Sequence, residues 1–376
     1  MVPTLRDIMC EGKRVLLNTE LNVPFKDGVI KDDRRLKAAL PTIRMLLNDN
    51  ARQVVIISHL TKGKEELSFK PVVKPLEEAL GVPVAFVDDC TKPAPPDARV
   101  VLLENVRFHD GEKKNDPAFA KLLAQHGDVF VNDAFATMHR PYASFVALPA
   151  LFSEKAIGLS VEKELKNLDF ASPERPFVAV IGAAKISDKI ELLEELLQKV
   201  DRLLLGGAIV FTFFKAQGLE VGTSLCEDEK VGLARGLLER YGDKILLPQD
   251  IVISEDLEGH EIFTVDADKI PANMKGLDIG DLAVEEFEGV LDTARTVFWN
   301  GPLGVFEVPP FDTATKAIAE LLAKSRAKVV IGGGDTAAAV DQYGLAQKYA
   351  HVSTGGGASL QVVAGKPLPG VEALEK

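Results

Sequence analysis

Positively charged side chains follow several apolar runs in the first half of the chain. They are His59, Lys62, Arg107 and Arg140, joined by Arg35 at the start of a helical pattern. Guanidinium groups match carboxylate and phosphate through two parallel hydrogen bonds, whereas lysine supplies a compact charge. In a chain of net charge −12 such a local excess of cations is unusual. The pattern predicts a pocket for a small polyanion.

Two further polar residues, Glu20 and Asn22, end the first apolar run in the segment "NTELNVP". On its own such a segment is more often a solvated strand end. Ligands of open parallel sheets bind at the carboxyl ends of the strands, where the predicted cations also lie. The common location favours a role for Glu20 and Asn22 in the anion pocket.

Glycine runs occupy the equivalent positions in the second half of the chain. They lie in "VIGAAKISDKI", "LLLGGAI", "WNGPLGVFE", "VIGGGDTAAAV" and "HVSTGGGASL". A strand, a glycine run and a helix in succession let backbone N–H groups and the helix N-terminus hold phosphate. One run alone is usually a tight turn, but several in succession favour a nucleotide site. The spacing matches neither the P-loop nor the dinucleotide fingerprint.

Three charged residues near these glycines suggest phosphate chemistry. Asp335 follows three glycines and is the carboxylate best placed to meet Mg²⁺ beside a phosphate chain. Lys185 and Lys189 follow Gly182 and could neutralise phosphate oxygens. The sequence offers no obvious catalytic base, which suits a carboxylate acceptor because that group is already ionised at neutral pH. We therefore expect phosphoryl transfer that depends on positioning and on cations.

Alternating strands and helices are expected to position these groups. Apolar or β-branched runs predict strands at 14–18, 53–59, 82–87, 99–104, 128–132, 177–182, 202–206, 244–248, 296–299 and 328–332. Helical spacing of leucines predicts a helix at 188–200, capped by Ser187 or Asp188. The alternation predicts an α/β fold with doubly wound parallel sheets.

The chain is long for a single core, so two domains are expected. Two prolines at 171–176 mark a boundary after a charged helical segment. We predict an N-terminal acceptor domain at 1–160 with a tail at 361–376, a linking helix at 161–173, and a nucleotide domain at 174–360.

The bulk composition excludes some classes of function. The net charge of −12 argues against nonspecific nucleic-acid binding, which needs a basic face. No apolar run reaches the length of about 20 residues that a membrane span needs, and no signal-peptide core is seen. Three cysteines, Cys10, Cys90 and Cys226, are far apart and lack the spacing of a metal site, as expected in a reducing cytoplasm.

These motifs, in this order, resemble the phosphoglycerate kinase family over essentially the whole chain. The most specific are "KDDRRLKAALPTI", "LLENVRFHDGEKKNDP", "VNDAFATMHR", "PERPFVAVIGAAKISDKI", "FWNGPLGVFE", "IGGGDTAAAV" and "HVSTGGGASL". The resemblance implies a cytoplasmic, monomeric, hinge-bending enzyme of glycolysis and gluconeogenesis. Such an enzyme exchanges phosphate between 1,3-bisphosphoglycerate and MgADP, giving 3-phosphoglycerate and MgATP. It also implies that "GKPLPGVEAL" folds back on the N-terminal domain.

The resemblance also implies roles for individual residues. The 3-phosphoglycerate contacts would be Asn22, Arg35, His59, Arg107 and Arg140, with Glu20 and Lys62 at departing positions. The nucleotide contacts would be Lys185, Lys189, Gly276, Glu307, Gly333, Gly334, Asp335 and Thr336, to which the second glycine run adds Gly206 and Gly207. Arg35, Lys185, Lys189 and the helix beginning near Gly357 would stabilise the transferring phosphoryl group, and Asp335 would hold Mg²⁺.

Several residues depart from the family pattern and leave alternatives open. The family usually has Asp at Glu20 and Arg at Lys62, and the other departures are Asn18, Tyr142, Ala183 and Ala208. The first hypothesis is an active kinase with altered acceptor affinity. The second is a kinase for another small carboxylic acid, suggested by Glu20, Lys62 and Tyr142. The third is a noncatalytic or regulatory paralogue, suggested by the two alanines.

Overall fold

The computed structural model describes residues 2–26, 29–184, 190–353 and 355–375. The chain divides into two compact units, of which unit 1 contains residues 1–166 and 367–376 and unit 2 contains residues 167–366. No helix in the described part is long and apolar enough to cross a membrane.

A parallel sheet forms the centre of unit 1. Its strands are β1 (Arg14–Thr19), β2 (Gln53–Ile57), β3 (Val84–Val87), β4 (Val100–Leu103), β5 (Val129–Asp133) and β6 (Lys155–Ile157). They lie in the order β6-β5-β1-β2-β4-β3, and every pair is parallel. Every residue of β2 and β4 is buried, as expected for parallel strands covered on both faces.

Helices cover this sheet. They are α1 (Arg34–Asn48), α2 (Val73–Leu80), α3 (Asp110–Lys113), α4 (Pro117–Ala124) and α5 (Leu159–Asn167). The face of α1 that contains Leu36, Ile43 and Leu46 is buried in the core. Asp32 fixes the start of α1, because its Oδ1 accepts hydrogen bonds from the backbone N–H and the Nε of Arg34, at 2.9 and 3.0 Å. This places Arg35 in the first turn.

Short two-stranded hairpins connect some of these elements. Phe25–Lys26 pairs with Val29–Ile30 before α1, and Thr61–Lys62 pairs with Glu65–Glu66 after β2. Within the described ranges, short 3₁₀ turns also lie at Leu5–Asp7, Lys70–Val72, Val106–Phe108, Phe135–Thr137 and Pro149–Leu151 in unit 1, and at Asp228–Lys230 and Ala346–Lys348 in unit 2.

Unit 2 also contains a parallel sheet, and it has a second, antiparallel sheet. Its strands are β7 (Phe177–Gly182), β8 (Arg202–Gly206), β9 (Ile245–Leu246), β10 (Asp250–Ser254), β11 (Ile262–Asp266), β12 (Lys275–Ile279), β13 (Thr296–Asn300), β14 (Lys328–Gly332) and β15 (His351–Val352). The parallel sheet has the order β9-β8-β7-β13-β14-β15, and β11-β10-β12 form a separate antiparallel sheet.

The helices of unit 2 follow the strands in alternation. They are α6 (Ile190–Lys199), α7 (Ile209–Ala216), α8 (Val231–Tyr241), α9 (Asp281–Leu291), α10 (Thr313–Lys324), α11 (Gly334–Gln342) and α12 (Gly357–Ala364). Both α11 and α12 begin at glycine runs that the sequence placed directly before helices.

The last helix, α13 (Pro369–Glu375), packs in unit 1. It contacts β6 and the turn at Pro149–Leu151. The backbone N–H of Gly370 donates to the carbonyl of Met138 at 3.0 Å, and Leu374 is buried. The C-terminal segment is therefore part of the core of unit 1.

The predicted α/β class with parallel sheets is confirmed, and each predicted strand corresponds to an observed one. Sequence reasoning missed β6, β15 and the whole antiparallel sheet. The run Leu203–Phe214, long and apolar, divides into β8 and α7 around Gly207. The predicted caps of α6, Ser187 and Asp188, lie outside the described residues.

Candidate active site

Glu20 is the centre of a charged cluster at the carboxyl end of β1. Its side chain is mostly buried, and its Oε1 lies 3.5 Å from Nη1 of Arg35 and 4.0 Å from Nε2 of His59. Its Oε2 accepts a hydrogen bond from the hydroxyl of Thr137 at 3.3 Å. Glu20 therefore contacts residues from three different connections, because Arg35 lies after β1, His59 after β2 and Thr137 after β5.

Asn22 holds two neighbouring segments in place. Its carbonyl accepts a hydrogen bond from Nη1 of Arg35 at 2.8 Å, and its Oδ1 accepts one from the backbone N–H of Thr61 at 2.9 Å. The arginine at the start of α1 and the loop after β2 are thus tied to the end of β1. The end of β1 is therefore an ordered junction and not a solvated strand end.

His59 is a neutral histidine within this cluster. Burial lowers its pKa to about 4, and the nearby guanidinium groups of Arg107 and Arg35 lower it further, against the opposing effect of Glu20. At neutral pH its imidazole is uncharged, so it can donate one hydrogen bond and accept another. The positive charge of the cluster therefore comes from the arginines.

Arg107 is half-buried and has spare hydrogen-bonding capacity. Its guanidinium lies over the ring of Tyr142, at 5.4 Å from the ring centroid. Its Nε is buried without a hydrogen-bond partner among the described residues. Asn105 fixes this segment, because its Oδ1 accepts from the backbone N–H of Arg107 and its Nδ2 donates to the carbonyls of Leu60 and Leu67, at 2.7 and 2.8 Å. A buried, unpaired guanidinium nitrogen suits an anionic ligand.

Two predicted acceptor residues, Lys62 and Arg140, are exposed. Lys62 lies in the hairpin after β2, and Arg140 follows the turn at Phe135–Thr137, where its backbone N–H donates to the carbonyl of Thr137 at 2.9 Å. Among described residues the structure records no ion pair for either side chain. Direct contacts thus join Glu20, Asn22, Arg35 and His59, but not these two cations.

Sequence reasoning missed several polar residues that order the cluster or the loops around it. Two of them are Thr137, which donates to Glu20, and Asn105, which fixes the segment around Arg107. Glu112 is buried and accepts hydrogen bonds from the backbone N–H and the hydroxyl of Ser144, at 3.0 and 2.6 Å. Burial raises the pKa of Glu112. Nothing in the sequence distinguishes Thr137, Asn105 or Glu112 from other polar residues.

A pocket of about 680 Å³ opens at the carboxyl ends of the strands of unit 2. Backbone from the glycine runs lines one part of it, including Gly207, Gly276, Gly333, Gly334 and Gly357. Apolar side chains line another part: Val210, Phe211, Leu225, Leu257, Leu277 and Phe306. A surface that combines exposed backbone with apolar side chains suits a ligand with both a phosphate chain and an aromatic base.

Glycine is required where the loops lining this pocket meet. A Cβ on Gly301 would overlap the carbonyl of Gly182, and Gly301 has a φ of +95°. A Cβ on Gly276 would overlap the ring of Phe211. Because glycine has no Cβ, Gly301 can lie against the backbone of Gly182, and Gly276 can lie against the ring of Phe211.

Gly206 does not line the pocket, although the sequence suggested a nucleotide contact there. It lies against Leu303, whose side chain a Cβ on Gly206 would overlap. The glycine at this position meets a packing requirement between β8 and the loop after β13. Its neighbour Gly207 does line the pocket.

Asp335, Thr336 and Glu307 all line the pocket. Thr336 is buried at the start of α11, and its hydroxyl accepts a hydrogen bond from the backbone N–H of Gly301 at 2.6 Å, so it orders the neighbouring loop. Asp335 is exposed, and the described residues provide no hydrogen-bond or ion-pair partner for its carboxylate. Mg²⁺ is usually held by one or two carboxylates together with substrate phosphates, so this side chain fits that ion.

Ala183 and Ala208 line the same pocket without distorting the backbone. Ala208 has a φ of −66° in the right-handed helical region, and the carbonyl of Ala183 accepts from the backbone N–H of Ile209 at 2.8 Å. Lys185 and Lys189 lie outside the described residues.

Asp278 is a buried acid in the wall of the pocket. Its Oδ1 accepts from the backbone N–H of Ile279 at 2.9 Å, and its Oδ2 accepts from that of Ala314 at 3.0 Å. Burial raises its pKa to about 8, and the nearby carboxylates of Asp312 and Asp281 add to the rise. The wall therefore carries a neutral carboxyl at neutral pH.

The chain matches a family model over nearly its whole length. The model is that of phosphoglycerate kinase, and it matches residues 5–366. A phosphoglycerate kinase of Chlorobium phaeobacteroides is 47% identical over 392 residues, covering 99% of this chain and 98% of the relative. One of Rubrobacter xylanophilus is 48% identical over 388 residues, covering 99% and 97%.

Solved structures give the same result. The structure of phosphoglycerate kinase from Coxiella burnetii matches with a TM-score of 0.86 and 38% identity, covering 100% of this chain and 99% of that one. The crystal structure of phosphoglycerate kinase from Pyrococcus horikoshii OT3 matches with a TM-score of 0.87 and 31% identity, covering 99% and 98%.

Proposed function

The chain belongs to the phosphoglycerate kinase family, and on that premise we propose that it transfers a phosphoryl group reversibly between 1,3-bisphosphoglycerate and ADP, giving 3-phosphoglycerate and ATP. The observation that supports this most strongly is the pairing of two sites within a single chain. Unit 1 contains the charged cluster around Glu20, which includes Arg35, and unit 2 contains the glycine-lined pocket with Asp335.

The acceptor is proposed to bind to the cluster of unit 1. Arg35 and Arg107 supply guanidinium groups for carboxylate and phosphate, and Arg140 and Lys62 add exposed charge that an anion could recruit. Neutral His59 and the Asn22 amide can exchange hydrogen bonds with the substrate hydroxyl and carboxylate. Glu20 supports this arrangement by holding Arg35 and Thr137.

The nucleotide is proposed to bind in the pocket of unit 2. The backbone at Gly333, Gly334 and Gly357 would face the phosphate chain, and the apolar wall would face the base. Gly206 would act through packing, whereas Gly207, Gly276, Glu307 and Thr336 line the pocket itself. Asp335 would hold Mg²⁺, which when bound supplies positive charge to the phosphate oxygens.

Catalysis is proposed to need no protein base. The acceptor carboxylate is ionised at neutral pH and can attack phosphorus directly. Arg35, Lys185 and Lys189 would then stabilise charge on the transferring group, together with the helix N-terminus at Gly357. Positioning and electrostatic stabilisation would supply the rate enhancement.

The comparisons support neither alternative hypothesis, a kinase for another carboxylic acid or a noncatalytic paralogue. Weakened acceptor affinity remains a proposal that rests on Glu20 and Lys62. A monomeric state and a cytoplasmic location are also proposals, the second supported by three free cysteines.

A coupled assay with 3-phosphoglycerate and MgATP tests the proposed activity. We expect turnover that depends on both substrates and on Mg²⁺. Absence of turnover in folded protein that still binds MgADP would contradict the proposal. Other small hydroxy acids, tested at equal concentration, serve as controls for the identity of the acceptor.

A further inference from the structure

Three different metal-ligating side chains converge in unit 1. Asp89 and Cys90 lie in the loop after β3, and His109 follows the 3₁₀ turn at Val106–Phe108. A carboxylate oxygen, the Cys90 Sγ and a ring nitrogen of His109 all lie within 4.8 Å of one another. Since β3 and β4 are neighbours in the sheet, the two loops meet at the same edge.

The structure assigns to Asp89, Cys90 and His109 a binding site for a zinc-like divalent cation. Ligands bind zinc at about 2.0–2.3 Å, so three donors this close together can reach one ion without large movement. A water molecule would complete a tetrahedral shell. Thiolate, imidazole and carboxylate together favour Zn²⁺ or Co²⁺ over Mg²⁺, which prefers oxygen ligands alone.

Surrounding contacts hold the ligands in this arrangement. The Nε2 of His109 lies 3.2 Å from Oδ1 of Asp89, close to the separation of two atoms bound at about 2.0 Å to one tetrahedral ion. The ring of His109 stacks on Phe119 with centroids 5.2 Å apart. The Cys90 carbonyl lies 2.9 Å from Nε2 of His126, which fixes the loop beside the thiol. Ligands that are oriented in advance bind a metal more tightly.

The site is open enough for an ion to enter and negative enough to attract one. Cys90 is fully buried, but the side chains of Asp89 and His109 are each about one-third exposed. The carboxylate of Asp89 supplies negative charge beside the thiol. A metal ion would replace the thiol proton, which leaves to solvent, while His109 coordinates through Nε2 with its proton on Nδ1.

Cobalt is the probe that tests this site. A Cys10→Ser/Cys226→Ser background leaves Cys90 as the one cysteine of the chain, so any thiolate-to-Co²⁺ absorption must come from it. We expect such a band at one Co²⁺ per chain, its displacement by Zn²⁺, and its persistence in millimolar Mg²⁺. No thiolate band at saturating Co²⁺ would overturn the assignment.

Two ligand variants and one control make the test specific. His109→Phe keeps a ring on Phe119 but removes the nitrogen, and Asp89→Asn keeps an acceptor for the backbone N–H of Thr91. Each should weaken Co²⁺ binding at least tenfold in folded protein, whereas Asp268→Asn, at an exposed position in unit 2, should not. Equal Co²⁺ affinity in all three variants would also overturn the assignment. Because Co²⁺ alone is measured, the result is independent of the proposed kinase activity.

Discussion

The carboxyl ends of the two parallel sheets carry different kinds of chemistry. In unit 1 charged side chains are fixed by contacts with one another, as between Glu20, Arg35 and Asn22. In unit 2 the lining is largely glycine backbone and apolar side chains, with the exposed carboxylate of Asp335. One sheet therefore presents charged side chains, and the other presents accessible main chain.

This difference predicts which further substitutions each unit can absorb. In unit 1, exchanging one charged side chain for a similar one changes only the length of the side chain or the distribution of its charge. In unit 2 a Cβ at Gly276 or Gly301 would collide with neighbouring atoms. The following predictions test this contrast, beginning with the largest expected effect.

Asp335→Ala should abolish most turnover, because it removes the carboxylate that is proposed to hold Mg²⁺ beside the phosphates. We expect kcat to fall by at least about 100-fold, with an unchanged thermal unfolding midpoint. Asp341→Ala, near the end of the same helix, is the charge-matched control and should retain kcat within about twofold. Near-normal turnover of Asp335→Ala would show that the metal is held elsewhere.

Gly276→Ala should disturb the pocket of unit 2 without affecting the acceptor. The added methyl would overlap Phe211, so we expect a loss of about 1–3 kcal/mol of stability and a higher KM for the nucleotide, with the KM for 3-phosphoglycerate unchanged. Gly232→Ala in α8, where a Cβ meets nothing within 4 Å, is the matched control. Equal unfolding midpoints for the two variants would refute the packing argument.

Asp278→Asn should flatten the pH dependence of stability of unit 2. The folded state keeps the Asp278 proton up to about pH 8, whereas the unfolded chain loses it near the ordinary pKa of 3.8. The contribution of this group to the free energy of unfolding is therefore largest at low pH. Between pH 3.8 and about pH 8 it falls by up to about 1.4 kcal/mol per pH unit. Denaturant titrations from pH 5 to pH 8 measure the slope.

A control separates this effect from a simple change in net charge. Asp268→Asn removes a carboxylate at an exposed position of the same unit and should keep the slope of the parent protein. If Asp278→Asn showed the same slope as the parent, the buried carboxyl would not be protonated in the folded state.

Glu20→Asp combined with Lys62→Arg should have the smallest effect, a lower KM for 3-phosphoglycerate. A shorter acid frees space beside Arg35, and a guanidinium can bind the acceptor with two hydrogen bonds. We expect a decrease of about two- to fivefold, since an exposed charge pair contributes at most about 1 kcal/mol. Lys64→Arg, in the same hairpin turn, is the control; an unchanged or higher KM in the double variant would exclude these residues as acceptor contacts.

Sequence patterns predicted the parallel sheets because buried parallel strands are continuous apolar runs. They failed for β10, β11 and β12, which are antiparallel; every residue of β11 except Val265 is exposed, so that strand is not a buried apolar run. That omission also hid part of the pocket wall, because Ile251, Lys275 and Leu277 come from the missed sheet.

The convergence of Glu20, Asn22 and His59 was predicted better than their individual contacts. Strand-end position was enough to bring Glu20, Asn22 and His59 to one edge of the sheet. It could not show that Thr137 binds Glu20, or that Lys62 is exposed in a hairpin, because both depend on loop conformation. Cys90 likewise has no sequence neighbour that signals its approach to His109, which is 19 positions away in the chain.

The packing of α13 into unit 1 has a consequence for biosynthesis. Ribosomes make the chain from its N-terminus, and residues 167–366, which form unit 2, emerge before residues 367–375 do. Unit 1 therefore lacks the segment that covers Met138 and Phe145 until the residues of unit 2 have been synthesised. The unit that is translated first thus gains one of its covering helices only after the sequence of the other unit has been made.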